Sequence, residues 1–165
     1  MNLVRKIAKT FKSEKISFRN RAEHEWIFSS PELRESFRIL EAYISQSQKA
    51  LEVFNTIFFL NIKGSYASAI DSGEKFVLVY PELVSLLKGP KRIQGIAILA
   101  HEIGHLVLAH HQRRTSNHIA QIEADLFAHE IGLGRYLLLF LKDQSQGLQI
   151  QKRVQALEKV IRTES

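Results

Sequence analysis

Cysteine is absent from all 165 residues. Disulfides, thiolate zinc sites and thiol chemistry are therefore excluded, and any transition metal must be held by histidine and oxygen donors. Long apolar runs are missing too. No segment reaches the roughly 18 uninterrupted apolar residues of a membrane span, and "YLLLFL" (136–141) is far too short alone. The N-terminus lacks the apolar stretch and small-residue cleavage site of a secretory signal. A soluble, cytoplasmic protein is the expectation. Internal repeats, low-complexity tracts and clear linkers are also missing. With 45% hydrophobic residues, the length suits one domain over 1–165: a basic segment (1–29), a core (30–142) and a C-terminal helix (143–165).

Acidic residues are in deficit. The formal charge is +6, and in the first 21 residues Arg5, Lys6, Lys9, Lys12, Lys15, Arg19 and Arg21 face Glu14. Leu3, Val4, Ile7 and Phe11 fall at helical spacing among these cations. Either a solvated helix packed on its own domain or weak contact of residues 1–21 with an anionic membrane surface fits the pattern, the former being commoner. Nucleic acid is not expected as a partner, because no aromatic platform or named motif accompanies the basic residues.

"SSPELRESFRILEAYISQSQKALEVF" predicts one long amphipathic helix, with Ser30 as N-cap, Pro31 at the first helical position and Leu33, Phe37, Leu40 and Ile44 on one face. "NTIFFLNIKG" (55–64) and "KFVLVY" (75–80) predict strands, with an edge strand or a loop between them. Helices are predicted from Pro81 to Leu87, from about Arg92 to His111, and from a cap at Ser116 or Asn117 onward. In the last segment Ile150, Val154, Leu157 and Ile161 mark a docking helix or a short coiled-coil seam. A small sheet among several helices makes the fold class α+β.

The chemistry lies in "LAHEIGHLVLAHH" (99–111). The surrounding helix is apolar on all sides, which predicts burial. Polar groups there are expensive unless hydrogen-bonded, ion-paired or metal-bound. His101 and His105, four residues apart, share a face with Cβ atoms about 5–6 Å apart, so both imidazoles can bind one ion. Glu102 reaches a metal-bound water rather than the metal. This is the His-Glu-x-x-His pattern, in which Zn2+ acidifies the water and the carboxylate takes its proton. Gly104, costly inside a helix, suggests a close approach by another group. Two imidazoles leave a zinc site incomplete, so a third protein ligand is expected from the helix that follows.

"IQGIAILAHEIGHLVLAHH", followed by "QIEADLFAHEIGLG", resembles the gluzincin metallopeptidases. The likeness is strongest to their minimal soluble members and HtpX-like catalytic cores, and looser to the ImmA and IrrE group. "SYASAIDSGEKFVLVYPELVSLL" resembles the family's edge strand and turn, so the resemblance spans roughly residues 65–134. It implies a zincin-like domain in which a small sheet packs on a buried active-site helix, zinc at His101 and His105, Glu102 as general base, and hydrolysis of a peptide or protein substrate. It also implies a Glu ligand four residues before an Asp that buttresses a ligand histidine from behind. Asp125 matches that Asp, but counting back reaches Gln121. A neutral amide is a poor replacement for a carboxylate on zinc. Glu123 is the nearest carboxylate, yet two residues turn a helical side chain by about 200°, so Gln121 and Glu123 cannot serve one site in one register. The third ligand is one of these two.

A zinc endopeptidase is the leading expectation, with substrate extended along the edge strand near residues 65–80. The alternative is a catalytically impaired pseudo-peptidase that acts as a binding or regulatory module because of Gln121. His110, His111, His118, His129, Arg135 and Tyr136 are candidates for stabilising the oxyanion, and the sequence does not rank them. Oligomeric state and substrate preference leave no mark in it.

Overall fold

The computed structural model describes residues 18–62, 67–113, 115–144 and 147–163. The expected N-terminal amphipathic helix and Gly64 lie outside the described residues. Two 3₁₀ turns, Phe18–Asn20 and Ala22–His24, lead into α1 (Glu25–Phe28), α2 (Pro31–Ile44) and α3 (Gln48–Phe54). Then come β1 (Phe58–Asn61), β2 (Ala67–Asp71), β3 (Lys75–Val79), α4 (Pro81–Lys88), α5 (Arg92–Val107), α6 (Asn117–Glu130), α7 (Gly134–Lys142) and α8 (Leu148–Thr163). The fold is α+β and mostly helical.

The long helix expected from Pro31 onward is two helices. Ser30 caps the first, accepting the Leu33 N–H at 3.5 Å, and Ser47 caps the second, accepting the Ala50 N–H at 3.3 Å. Serines near a potential boundary offer the backbone a competing partner, and the run Ser45-Gln46-Ser47 uses it to turn the chain. Apolar periodicity continues across the break, which is why it reads as one element.

The three strands lie in the order β1-β3-β2, with β1 parallel and β2 antiparallel to β3. β2 and β3 form a hairpin whose turn, Ser72 to Glu74, carries Gly73 at φ +97°, a conformation that suits glycine. β2 is an edge strand and packs beside α5.

Helix α5 runs through the centre. Ile96, Ala97, Leu99, Ala100 and Ile103 are fully buried, and α2, α3, α4, α6 and α7 all pack on it. It ends at Val107, four residues short of the expected His111. Gly104 has its close neighbour: a Cβ there would lie 2.9 Å from Phe127 of α6, so this glycine lets the two helices approach. Phe18, Phe37, Phe54 and Phe59 close the core at the N-terminal end around buried His24, so the packed unit begins before residue 30. Helix α8 docks on α6 and α7, burying Leu157 with Ile150, Val154 and Ile161 beside it.

Candidate active site

His101 and His105 stand one helical turn apart on α5 and are 5% and 6% exposed, so their ring nitrogens must find partners within the protein. Their Nε2 atoms face each other at 3.2 Å. Behind His101, its Nδ1–H donates to Asp125 Oδ1 at 2.8 Å. Asp125 is wholly buried, and Arg153 of α8 grips it through two bonds of 2.7 Å. Burial alone would raise the Asp125 pKa, but the hydrogen bonds from Arg153 and His101 outweigh it and hold the carboxyl below its ordinary range. Arg153 Nη2 also lies 3.4 Å from His101 Nδ1, too long to compete with the carboxylate for that nitrogen.

Behind His105, Nδ1 meets Nδ1 of His110 at 2.7 Å, and His110 Nε2–H donates to Glu123 Oε2 at 2.9 Å. Burial first, and then the neighbouring histidines and Arg153, push His105 down to about 3, so it is neutral at ordinary pH. Desolvation also lowers His110, against the opposing pull of Glu123.

Of the two candidate third ligands, Gln121 joins the pair and Glu123 does not. The Gln121 amide puts Oε1 3.1 Å from His101 Nε2 and Nε2 3.3 Å from His105 Nε2. Glu123 turns away to His110 and, at 3.2 Å, to Arg113. Ala124 and Ala128, small and fully buried, bring the Gln121 face of α6 against α5. Helical phase alone left both side chains turned inward; the turn after α5 decides between them by placing His110 and Arg113 where Glu123 finds partners.

These donors suit a divalent cation. His101 spends its proton on Asp125, and His105 spends its proton on the chain toward Glu123, so both Nε2 atoms present lone pairs across 3.2 Å. The Gln121 amide N–H can donate to the His105 lone pair, but the two imidazole lone pairs facing each other and the amide oxygen against His101 repel, and a metal of zinc's preference for nitrogen relieves that. Among the described residues, no group of three or more His, Cys, Asp or Glu could hold a metal ion, and the side chain that joins the two imidazoles is the neutral amide of Gln121.

Glu102, partly buried, accepts the Ala69 N–H of β2 at 2.8 Å. Cavities open on both sides of it. One, about 240 Å³, is walled by Ile98, Leu137, Phe140 and Ile150 together with His101 and Arg153. The other, about 470 Å³, is bounded by Ser68, His105, His111, Thr115 and Asn117. Of the oxyanion candidates, His110 and His111 line this second cavity. His118, His129, Arg135 and Tyr136 line neither, and His110 is committed to His105.

Arg153 escaped the sequence reading. Its signal was a cation at helical spacing with Ile150, Val154 and Leu157, on the stripe that docks.

A buried His-Glu-x-x-His helix beside an edge strand, with a buttressing aspartate from the next helix, defines a metallopeptidase type of centre. The model of peptidase family M48 matches residues 33–157. The chain belongs to that family, a zinc metallopeptidase family of the gluzincin type. No curated protein and no solved structure matches it. The match extends the likeness beyond residues 65–134 to α2 and most of α8, segments without a family signal in the sequence reading.

Proposed function

We propose that this protein is a zinc-dependent endopeptidase in which Glu102 acts as general base on the water that attacks a peptide carbonyl. The observation that carries the reading is the pair of buried imidazoles, their Nε2 atoms 3.2 Å apart and each backed by its own hydrogen-bonded partner, with Glu102 on the adjoining cavity. His101, His105 and the Gln121 oxygen would hold the metal. Zinc, when bound, supplies a Lewis acid that polarises a carbonyl and acidifies water.

The chain's own groups do the rest. Asp125 and Arg153 hold the His101 ring, and the Ala69 amide holds Glu102 where it can take a proton from water and pass it to the leaving amine. The edge of β2 offers main-chain groups to an extended peptide, and the apolar cavity beside His101 accepts one of its side chains.

One observation favours a second reading. Gln121 brings no charge to the ligand set, as expected of an impaired enzyme retained for binding. Cleavage of unfolded casein or a peptide library by the zinc-loaded protein tests the first reading against the second. Hydrolysis lost in Glu102→Gln supports catalysis; zinc-loaded wild type that cleaves nothing supports the binding module.

A further inference from the structure

His105 differs from His101 in what stands behind it. His101 has a carboxylate directly at Nδ1, whereas His105 has another histidine, and the carboxylate comes one ring later. With His110 neutral, proton placement along this chain follows from the acceptor at its end. Glu123 accepts only, so His110 Nε2 must donate, and a neutral His110 then offers a lone pair at Nδ1. The 2.7 Å contact then puts the proton on His105 Nδ1 and leaves a lone pair on His105 Nε2, the atom that faces His101 Nε2 and the Gln121 amide.

The backbone is bent to bring His110 there. Helix α5 ends in a Schellman turn: the His110 N–H bonds the His105 carbonyl at 3.0 Å and the Ala109 N–H bonds the Leu106 carbonyl at 3.3 Å. The left-handed residue of such a turn is usually glycine. Here Ala109 occupies it at φ +54°, a conformation that costs an L residue roughly 1–2 kcal/mol. The strained turn folds residue 110 back over the preceding turn, where His110 is 8% exposed and its ring centroid lies 4.9 Å from that of His105.

We propose that His110, held by Glu123, is a positioning residue that fixes His105 in its Nδ1–H tautomer and brings a carboxylate charge to the metal site whose ligand Gln121 brings none. Its use for metal rests on the metallopeptidase reading above; its geometry does not. Each ligand imidazole would then have an anion behind it, Asp125 directly for one and Glu123 through a relay for the other. Such outer partners raise the basicity of the ligand, and their removal typically costs about 10–100-fold in metal affinity.

The test uses the full-length protein in two measurements. In 15N-labelled, chelator-treated protein, long-range proton–nitrogen correlations should show His105 protonated at Nδ1 and bare at Nε2. His110→Phe should lose that preference, and His110→Asn, whose amide oxygen can replace the Nδ1 acceptor, should keep it. Zinc competition with a chromophoric chelator should give about 10–100-fold weaker binding in His110→Phe and Glu123→Gln, with partial recovery in His110→Asn. Circular dichroism and thermal melting identify any variant that fails to fold, and the wild-type tautomer stands independently of the variants. A wild-type His105 protonated at Nε2 overturns the proposal. So does unchanged zinc affinity in a folded His110→Phe. Wild-type protein that binds no zinc at all, with the tautomer as described, removes the metallopeptidase reading and the charge-supply role together, and leaves the tautomer assignment intact.

Discussion

The Glu102 carboxylate accepts the backbone N–H of Ala69 at 2.8 Å, joining the active-site helix to the edge strand. The bond holds Glu102 through a backbone N–H, which no side-chain substitution removes. Glu102→Gln keeps an oxygen for that N–H but loses the basic group. It should fold normally, retain metal, and cleave peptide about 10²–10⁴-fold more slowly, as removal of a general base does. Cleavage rate and zinc content measured together check this, and full activity in Glu102→Gln would contradict the assigned role.

Gln121 sits where both imidazoles can share a ligand with it, and it does so without charge. Gln121→Glu changes little in size. It should tighten zinc by at least about tenfold, equivalent to about 1.4 kcal/mol. Zinc competition and cleavage assays follow the outcome. A large gain in activity marks the native centre as impaired, whereas weaker zinc binding would remove residue 121 from the ligand set.

Arg153 reaches from α8 to the wholly buried Asp125. Without that guanidinium the carboxylate would, among the described residues, be left with His101 alone. Arg153→Met fills similar space and removes the charge. The expected loss is about 3–5 kcal/mol of stability, the usual consequence of breaking a buried ion pair from one side. Chemical denaturation measures it. A loss below about 1 kcal/mol would show that α8 does not brace the site.

His24 titrates against stability. Its Nδ1–H donates to the Phe18 carbonyl at 2.7 Å and its Nε2 accepts the Phe59 N–H at 3.0 Å, an arrangement that only the neutral ring satisfies. Burial is the main cause that pushes its pKa from 6.5 down to about 4. The unfolded chain therefore binds the proton first. Stability from this group is complete above about pH 6.5 and falls by about 3 kcal/mol in total as pH drops toward 4. His105 and His110, also depressed, add to the decline in the same direction. Denaturation midpoints of metal-free protein at several pH values should follow this slope, with a shallower one in His24→Gln. A flat profile over that window would contradict it.

The helices and strands were largely legible because apolar residues recur at the period of each element, and the His-Glu-x-x-His spacing identifies its face without a structure. Three features were not. Ser45 closes one helix and Ser47 caps the next, through side-chain and backbone bonds that leave the apolar stripe uninterrupted. Residues 121 and 123 were separated only by the strained turn at Ala109, a conformation that an alanine does not announce. Arg153 acts across 28 residues of sequence on Asp125, and such pairings depend on how helices dock rather than on any local pattern.

The proposed function depends on one cation held between His101 and His105. Elemental analysis of the purified, zinc-replete protein tests that most directly. The account predicts about one zinc per chain, lost in His101→Ala and in His105→Ala while the fold persists. Zinc-free wild-type protein, or zinc that stays after both substitutions, would contradict it.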